Sequence, residues 1–179
     1  MKAIPTKLAQ CFVIEPIVFN DSRGYFFESF NQKTFNSLVE QSVTFVQDNE
    51  SYSTKGVLRG LHFQKGEWAQ AKLVRVVKGR VLDVAVDIRK ESPTYGQHIS
   101  VELTEDNKKQ LFVPRGFAHG FVVLSDTAIF SYKCDNYYNK ASEGGIIYND
   151  TTLNIDWKLP SNELIISEKD SILPTFETL

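Results

Sequence analysis

The chain has 179 residues, 22 acidic and 20 basic side chains and a formal charge of −2; this is one domain's scale, with no basic block to hold nucleic acid or an anionic membrane. Apolar residues make up 42% and charged residues 23%, which excludes a disordered chain; thirteen Phe, seven Tyr and two Trp against one Met favour stacked sheets over a helical bundle or coiled coil. Cys11 and Cys134 are too few for a disulfide framework, lie in no C-x-x-C pair, and read as buried thiols.

In chain order, the start MKAIPTKLAQ lacks the apolar stretch of a secretory signal, and longer apolar runs are broken by Glu15, Asp83 or Asp87, so the expected location is cytoplasmic. FVIEPIVF (12–19) and GYFFESF (24–30) read as strands. NQKTFNSLVEQ (31–41) is the one convincing helix: Asn31 caps it, and Phe35, Leu38 and Val39 form an apolar stripe expected to pack on a sheet edge. Strands are expected again in VTFVQ (43–47), VLRGLHFQ (57–64), KLVRVV (72–77), RVLDVAVDI (80–88), HISVEL (98–103), QLFVP (110–114) and AIFSYKCDNYY (128–138). Lys78-Gly79 reads as a tight hairpin, with further turns at Asp106-Asn107 and Ser125-Asp126. No repeat or linker divides residues 1–179, and the segment 150–179 alternates short apolar groups with turn residues, as a wrap over the main sheets would. The expected fold is an all-β sandwich or barrel with a few short helices.

Only three histidines offer a base near neutral pH. His98, at a polar strand start, reads as a solvated surface residue and is set aside. His62 shares a strand face with Gly60 and Gln64, where a histidine is most simply structural or exposed. Lys72 opens a strand on the face of Val74 and Val76; it is either an edge lysine or a cation facing a cleft. Tyr132, Cys134, Asn136 and Tyr138 share a face if 131–138 is extended, with aromatic packing as the simpler reading. Asp170 follows the apolar LIIS and would orient His62 through the ring Nδ1–H if the tail folds back. A metal is disfavoured, since the His62 strand lacks the second histidine that metal-binding barrels supply, although His62, His119 and a carboxylate would be the set to converge.

The strings VLRGLHFQ, QAKLVRVVKGRVLDVAVDIR, PTYGQHISVEL, LFVPRGFAHGF, YKCDNYY, EGGIIYND and SEKD, with DSRGYFFESF before them, closely resemble the dTDP-4-dehydrorhamnose 3,5-epimerase family over the whole chain. The resemblance implies a cupin-like jelly roll, a homodimer, and no metal or organic cofactor. It implies a dTDP-linked 4-keto-6-deoxy sugar, dTDP-4-dehydro-6-deoxy-D-glucose, inverted at the two carbons flanking its C4 ketone. On that pattern His62 is the base, Asp170 its partner, Lys72 the cation by the C4 oxygen, and Tyr132 the acid returning a proton at C5 from the opposite face. No residue is assigned as donor at C3, for which water is one answer. Arg23, Arg59 and Lys169 would meet the diphosphate. Glu28, Gln47, Asn49 and Glu143 would contact thymidine or sugar, and Tyr138 would stack on thymine.

An imidazole alone is insufficient for this chemistry, because it falls short of a ketone α-proton by about a dozen pK units, ~15 kcal/mol. General-base positioning contributes roughly 3–5 kcal/mol, so Lys72 and His119, as donors to the developing oxyanion, would carry much of the remainder. Arg59 and His62 are three apart, which strict alternation places on opposite faces; an irregularity at Gly60 is expected to bring both to one site. The loop Lys65-Gly66-Glu67-Trp68 departs from the proline-containing loop of the family pattern. The competing readings are an epimerase acting at C3 or C5 alone, a metal-dependent cupin enzyme, and a non-catalytic sugar-nucleotide binder.

Overall fold

The structure is a computed structural model describing residues 1–179. At its start β1 (Lys2–Pro5) and β2 (Phe12–Glu15) pair antiparallel. Pro16, with no N–H for a ladder, divides the run expected as one strand. The hairpin of β3 (Val18–Asp21) and β4 (Gly24–Phe27) stands as its own two-stranded sheet. Asn31 caps α1 (Gln32–Val39) by accepting from the Thr34 amide at 3.1 Å. Phe35 and Val39 bury against Ile14, Leu73 and Phe112, so the helix covers a sheet face and not the expected edge.

The strand expected at 43–47 begins where that run ends: β5 is Gln47–Thr54, while Val43 is buried in the cluster beneath α1. Along β5, exposed Asp48, Glu50, Tyr52 and Thr54 alternate with more buried Gln47, Asn49, Ser51 and Ser53. The remaining strands are β6 (Leu58–Gln64), β7 (Lys72–Lys78), β8 (Arg80–Asp87), β9 (His98–Thr104), β10 (Gln110–Val113), β11 (Phe117–Val123), β12 (Thr127–Cys134) and β13 (Glu143–Gly145). β1, β11, β13 and most of β5 were not among the sequence expectations.

Two antiparallel sheets form the sandwich, ordered β1-β2-β10-β7-β12-β5 and β13-β6-β11-β8-β9. From β5 to β13 almost every connection crosses from one sheet to the other, which is the jelly-roll arrangement. Lys78-Gly79 is therefore no hairpin: it is a corner delivering the chain from β7 in one sheet to β8 in the other. Gly79 takes φ +82° there, and a Cβ would lie 2.1 Å from the Thr127 carbonyl oxygen.

Between the sheets, Val74, Val81, Leu103, Leu111, Phe121 and Phe130 form the apolar core. Residues Leu153, Trp157 and Phe176 cover the outer face of the five-stranded sheet, against Leu61, Val84 and Val122. This cover carries the short α2 (Glu168–Ser171) toward β6, where the two elements touch.

β6 departs from regular pairing where the sequence predicts it. His119 pairs with His62 and Phe121 with Arg59, so three steps on β6 match two on β11. The extra residue turns Arg59 to the side that His62 faces. Gly60, at φ +127°, meets Gly120 so closely that a Cβ on Gly60 would lie 2.7 Å from the Gly120 Cα, and one on Gly120 would lie 2.7 Å from the Arg59 carbonyl oxygen. The peptide joining Gly60 to Leu61 is cis. Gly120→Ala is expected to destabilise the fold by about 1–3 kcal/mol through overpacking, read as a lower denaturation midpoint; an unchanged midpoint would show that the two backbones can separate freely.

Candidate active site

One end of the sandwich interior is polar, because there the inward positions carry Gln47, Asn49, His62, Lys72 and Tyr132 in place of aliphatic residues. Two connected chambers share His62, Lys72 and Tyr132. The inner one, about 200 Å³, is lined also by Ser51, Arg59, His119 and Phe130. The outer one, about 350 Å³, adds Gln47, Asn49, Gln64, Gln70, Tyr138 and Glu143. Another depression, of about 330 Å³, lies on the outer side of the six-stranded sheet among Asp48, Arg75, Gln110 and Lys133; it holds no histidine.

His62 stands on β6 with its Nε2 2.7 Å from Asp170 Oδ1. The bonded nitrogen is thus Nε2 and not the expected Nδ1. Asp170 is 6% exposed, takes the Gly60 amide on Oδ2 at 3.2 Å, and has its own amide held by Ser167 Oγ at 3.1 Å. Burial would raise its carboxyl; the His62 bond and charge, the Gly60 amide and Lys169 outweigh that and hold it below the usual carboxylate range. Beside this pair, His119 Nε2 lies 3.0 Å from both oxygens of fully buried Asp83. The sequence reading missed Asp83. Its signal is a carboxylate inside the apolar run RVLDVAVDI, where burial requires a partner.

The facing wall comes from the other sheet. Lys72 on β7 lies 5.7 Å from the Tyr132 ring and forms no ion pair or hydrogen bond. Burial pushes its ammonium below the ordinary lysine range, with Cys134, Asp83 and Glu143 opposing. The Cys134 thiol is itself pushed up by burial to about 11, so it is neutral at pH 7 and lends Lys72 no charge. Burial likewise raises the Tyr132 phenol, which keeps its proton at neutral pH. Arg59 donates from Nε to Ser53 Oγ at 3.1 Å and has no carboxylate partner. Lys72 and Arg59 leave the chambers rich in unpaired positive charge, suited to an anionic guest.

At the mouth, Lys169 Nζ meets Glu143 Oε1 at 2.6 Å, Tyr138 donates to Glu143 Oε2 at 3.1 Å, and the Tyr138 amide reaches Gln47 Oε1 at 3.3 Å. β12 stops at Cys134, so Tyr138 enters from the following loop and not from the expected shared strand face. The 65–68 loop forms a 3₁₀ turn pinned by Asn136 Nδ2 on the Glu67 carbonyl. Arg23 and Glu28 are not brought here: Arg23 pairs with Asp21 on the β3–β4 hairpin, and Glu28 accepts from Asn31. Phe27 of that hairpin packs on Arg75, whose side chain leaves β7 on the face opposite Lys72. His98 lies on β9, half-buried and away from the chambers, with burial lowering its imidazole. Nowhere do three or more His, Cys, Asp or Glu side chains converge as a metal would need, because His62 and His119 each hold a separate carboxylate.

A jelly roll whose interior opens on a carboxylate-held imidazole, a facing phenol and unpaired cations defines a cupin-like protein equipped for acid–base chemistry on an anionic ligand. The model of the family described as dTDP-4-dehydrorhamnose 3,5-epimerase matches residues 5–178. A curated relative of that description from Salmonella typhimurium is 55% identical over 178 residues, covering 99% of this chain and 96% of its own. The crystal structure of the Elizabethkingia anophelis dTDP-4-dehydrorhamnose 3,5-epimerase superposes with TM-score 0.97 at 58% identity, over 99% of this chain and 97% of that one. A Legionella pneumophila dTDP-6-deoxy-D-glucose-3,5-epimerase in complex with dTDP-4-keto-L-rhamnose gives 0.95 at 47%, over 99% and 94%. The chain belongs to the dTDP-4-dehydrorhamnose 3,5-epimerase family. No helix is long and apolar enough to cross a membrane.

Asp170→Asn keeps the shape and removes the charge. Since the carboxyl is depressed in the fold, its stabilising contribution is present above the unfolded pKa, near 3.9, and fades as pH falls through the lower folded value. Urea unfolding at pH 5 and pH 3 is expected to show a smaller acid loss of stability in Asp170→Asn than in the wild type; equal losses would mean Asp170 is not held by its partners.

Proposed function

We propose that this protein inverts C3 and C5 of dTDP-4-dehydro-6-deoxy-D-glucose, giving dTDP-4-dehydro-L-rhamnose, without a metal or organic cofactor. The observation that carries the reading is His62, bonded to Asp170, facing Lys72 and Tyr132 across one chamber. His62 takes the proton from a carbon beside the ketone, and the electron pair moves into an enolate. Lys72 neutralises the growing charge on the C4 oxygen, with His119 as a further donor. Tyr132, protonated and on the opposite wall, returns a proton at C5. Tyr138, Gln47, Asn49 and Glu143 line the outer chamber where the thymidine would lie, and Lys169 and Arg59 flank the diphosphate.

We read the working form as a cytoplasmic homodimer. On one face of the β3–β4 hairpin the cross-strand pair Phe19 and Phe26 is 62% and 70% exposed, an apolar surface that a second copy would cover. Arg23 and Glu28 sit on or next to this hairpin, on the far side of the sheet from their own chamber, so their assigned contacts belong to the chamber of the partner.

Turnover of the proposed substrate in D₂O, followed by proton NMR, is expected to place deuterium at both C3 and C5 with inversion at each, and to survive EDTA. Inversion at a single carbon would reassign the protein as a monoepimerase, and loss in EDTA as a metal enzyme. His62→Ala is expected to bind dTDP normally and lose about 10²–10⁴-fold or more in turnover, and Tyr132→Phe to spare C3 exchange more than C5 inversion. Phe26→Asp is expected to shift the sedimentation mass from dimer to monomer and weaken dTDP binding; a mass unaffected by this change would move the interface elsewhere.

A further inference from the structure

Ser51 Oγ is the one shielded side-chain oxygen or nitrogen in the protein without a hydrogen-bonding partner. Its neighbours on the inward face of β5 are engaged: Asn49 with Gln47 and the Cys134 sulfur, Ser53 with Arg59. A polar atom out of water destabilises a fold unless something bonds to it, so an orphan in a polar chamber marks a partner that comes with the ligand.

The register fixes the wall on which Ser51 stands. Asn49 pairs with Tyr132 and Ser51 with Phe130, so Ser51 and Tyr132 are diagonal neighbours on one face of the six-stranded sheet. His62 belongs to the other sheet, and all three line the inner chamber. A sugar held between the sheets has the strand of His62 on one side and the strands of Tyr132 and Ser51 on the other. Inversion requires removal of a proton from one side and its return from the other, at each carbon. Tyr132 serves one of the two carbons flanking the ketone, which leaves the second without a donor.

Resting on the double-epimerase reading, we propose that Ser51 is the proton donor at C3. The Ser51 O–H bond breaks as the C3–H bond forms, and the enolate closes to the ketone. The serine oxygen then recovers a proton from solvent while the proton taken by His62 leaves to solvent, so one hydrogen is exchanged and no charge accumulates. Lys72, which faces the same chamber, favours the transient anionic oxygen.

The test follows H3 and H5 of dTDP-4-dehydro-6-deoxy-D-glucose in D₂O with wild type, Ser51→Ala and Ser51→Thr. In Ser51→Ala, C5 inversion is expected to stay within about threefold, while C3 inversion falls by about 10²-fold or more. H3 should still exchange in that variant, because His62 returns a solvent-derived deuteron to the face it came from, giving exchange with retention. Ser51→Thr should restore part of the C3 inversion, and dTDP affinity should match wild type in both. Equal losses at C3 and C5, a raised KM with an unchanged C3:C5 ratio, or wild-type rates would each overturn the assignment. Wild-type turnover with an unaffected Ser51→Ala removes this assignment alone; wild type that inverts neither carbon removes the parent reading with it.

Discussion

The contact of Gly60 with Gly120 is the constraint on which the rest depends. Two backbones approach there more closely than any side chain would permit, and the extra residue this admits in β6 breaks the two-residue alternation of the strand. Without it, Arg59 would face away from the side that His62 faces. The same irregular stretch presents the Gly60 amide to Asp170, so the distortion that gathers the side chains also anchors the carboxylate that holds the imidazole. Local backbone geometry and long-range assembly meet at one residue.

The interior is divided by chemistry. Toward one end, aliphatic and aromatic residues fill the space between the sheets; toward the other, β5 and β7 turn polar side chains inward. Asp170 is committed to His62 and Asp83 to His119, and at the mouth Glu143 is committed to Lys169. The two inner cations are not so committed. Lys72 has no partner and Arg59 has only a hydroxyl, which is an unfavourable arrangement for stability and a favourable one for meeting a phosphate or an enolate.

Apolar period-two runs revealed most strands, and the capped stripe from Asn31 to Val39 revealed the helix. β5 escaped because its inward positions, Gln47, Asn49, Ser51 and Ser53, alternate without hydrophobic residues; a strand that lines a cavity has no greasy face to announce it. Lys78-Gly79 was correctly a turn but wrongly a hairpin, since a glycine's backbone geometry is local while the sheet that the next strand joins is decided by packing elsewhere. At the site, family motifs located His62, Lys72, Tyr132 and Asp170, and arithmetic on the alternation located the irregularity at Gly60. Asp83 went unnoticed because a buried acid in a hydrophobic strand discloses its importance only when the opposing strand is known to carry a histidine.

The crossing of successive strands between sheets bears on how the molecule must assemble. Asn49 lies beside Tyr132 and Leu111 beside Val74, so most ladders join segments far apart along the chain, and zipping from neighbouring turns can build only a few of them. The entropy of closing such long loops precedes the reward of pairing. Long-range closure is therefore the demanding part of assembly, and it joins the two walls of the chamber, since β5, β7 and β12 belong to one sheet and β6 and β11 to the other.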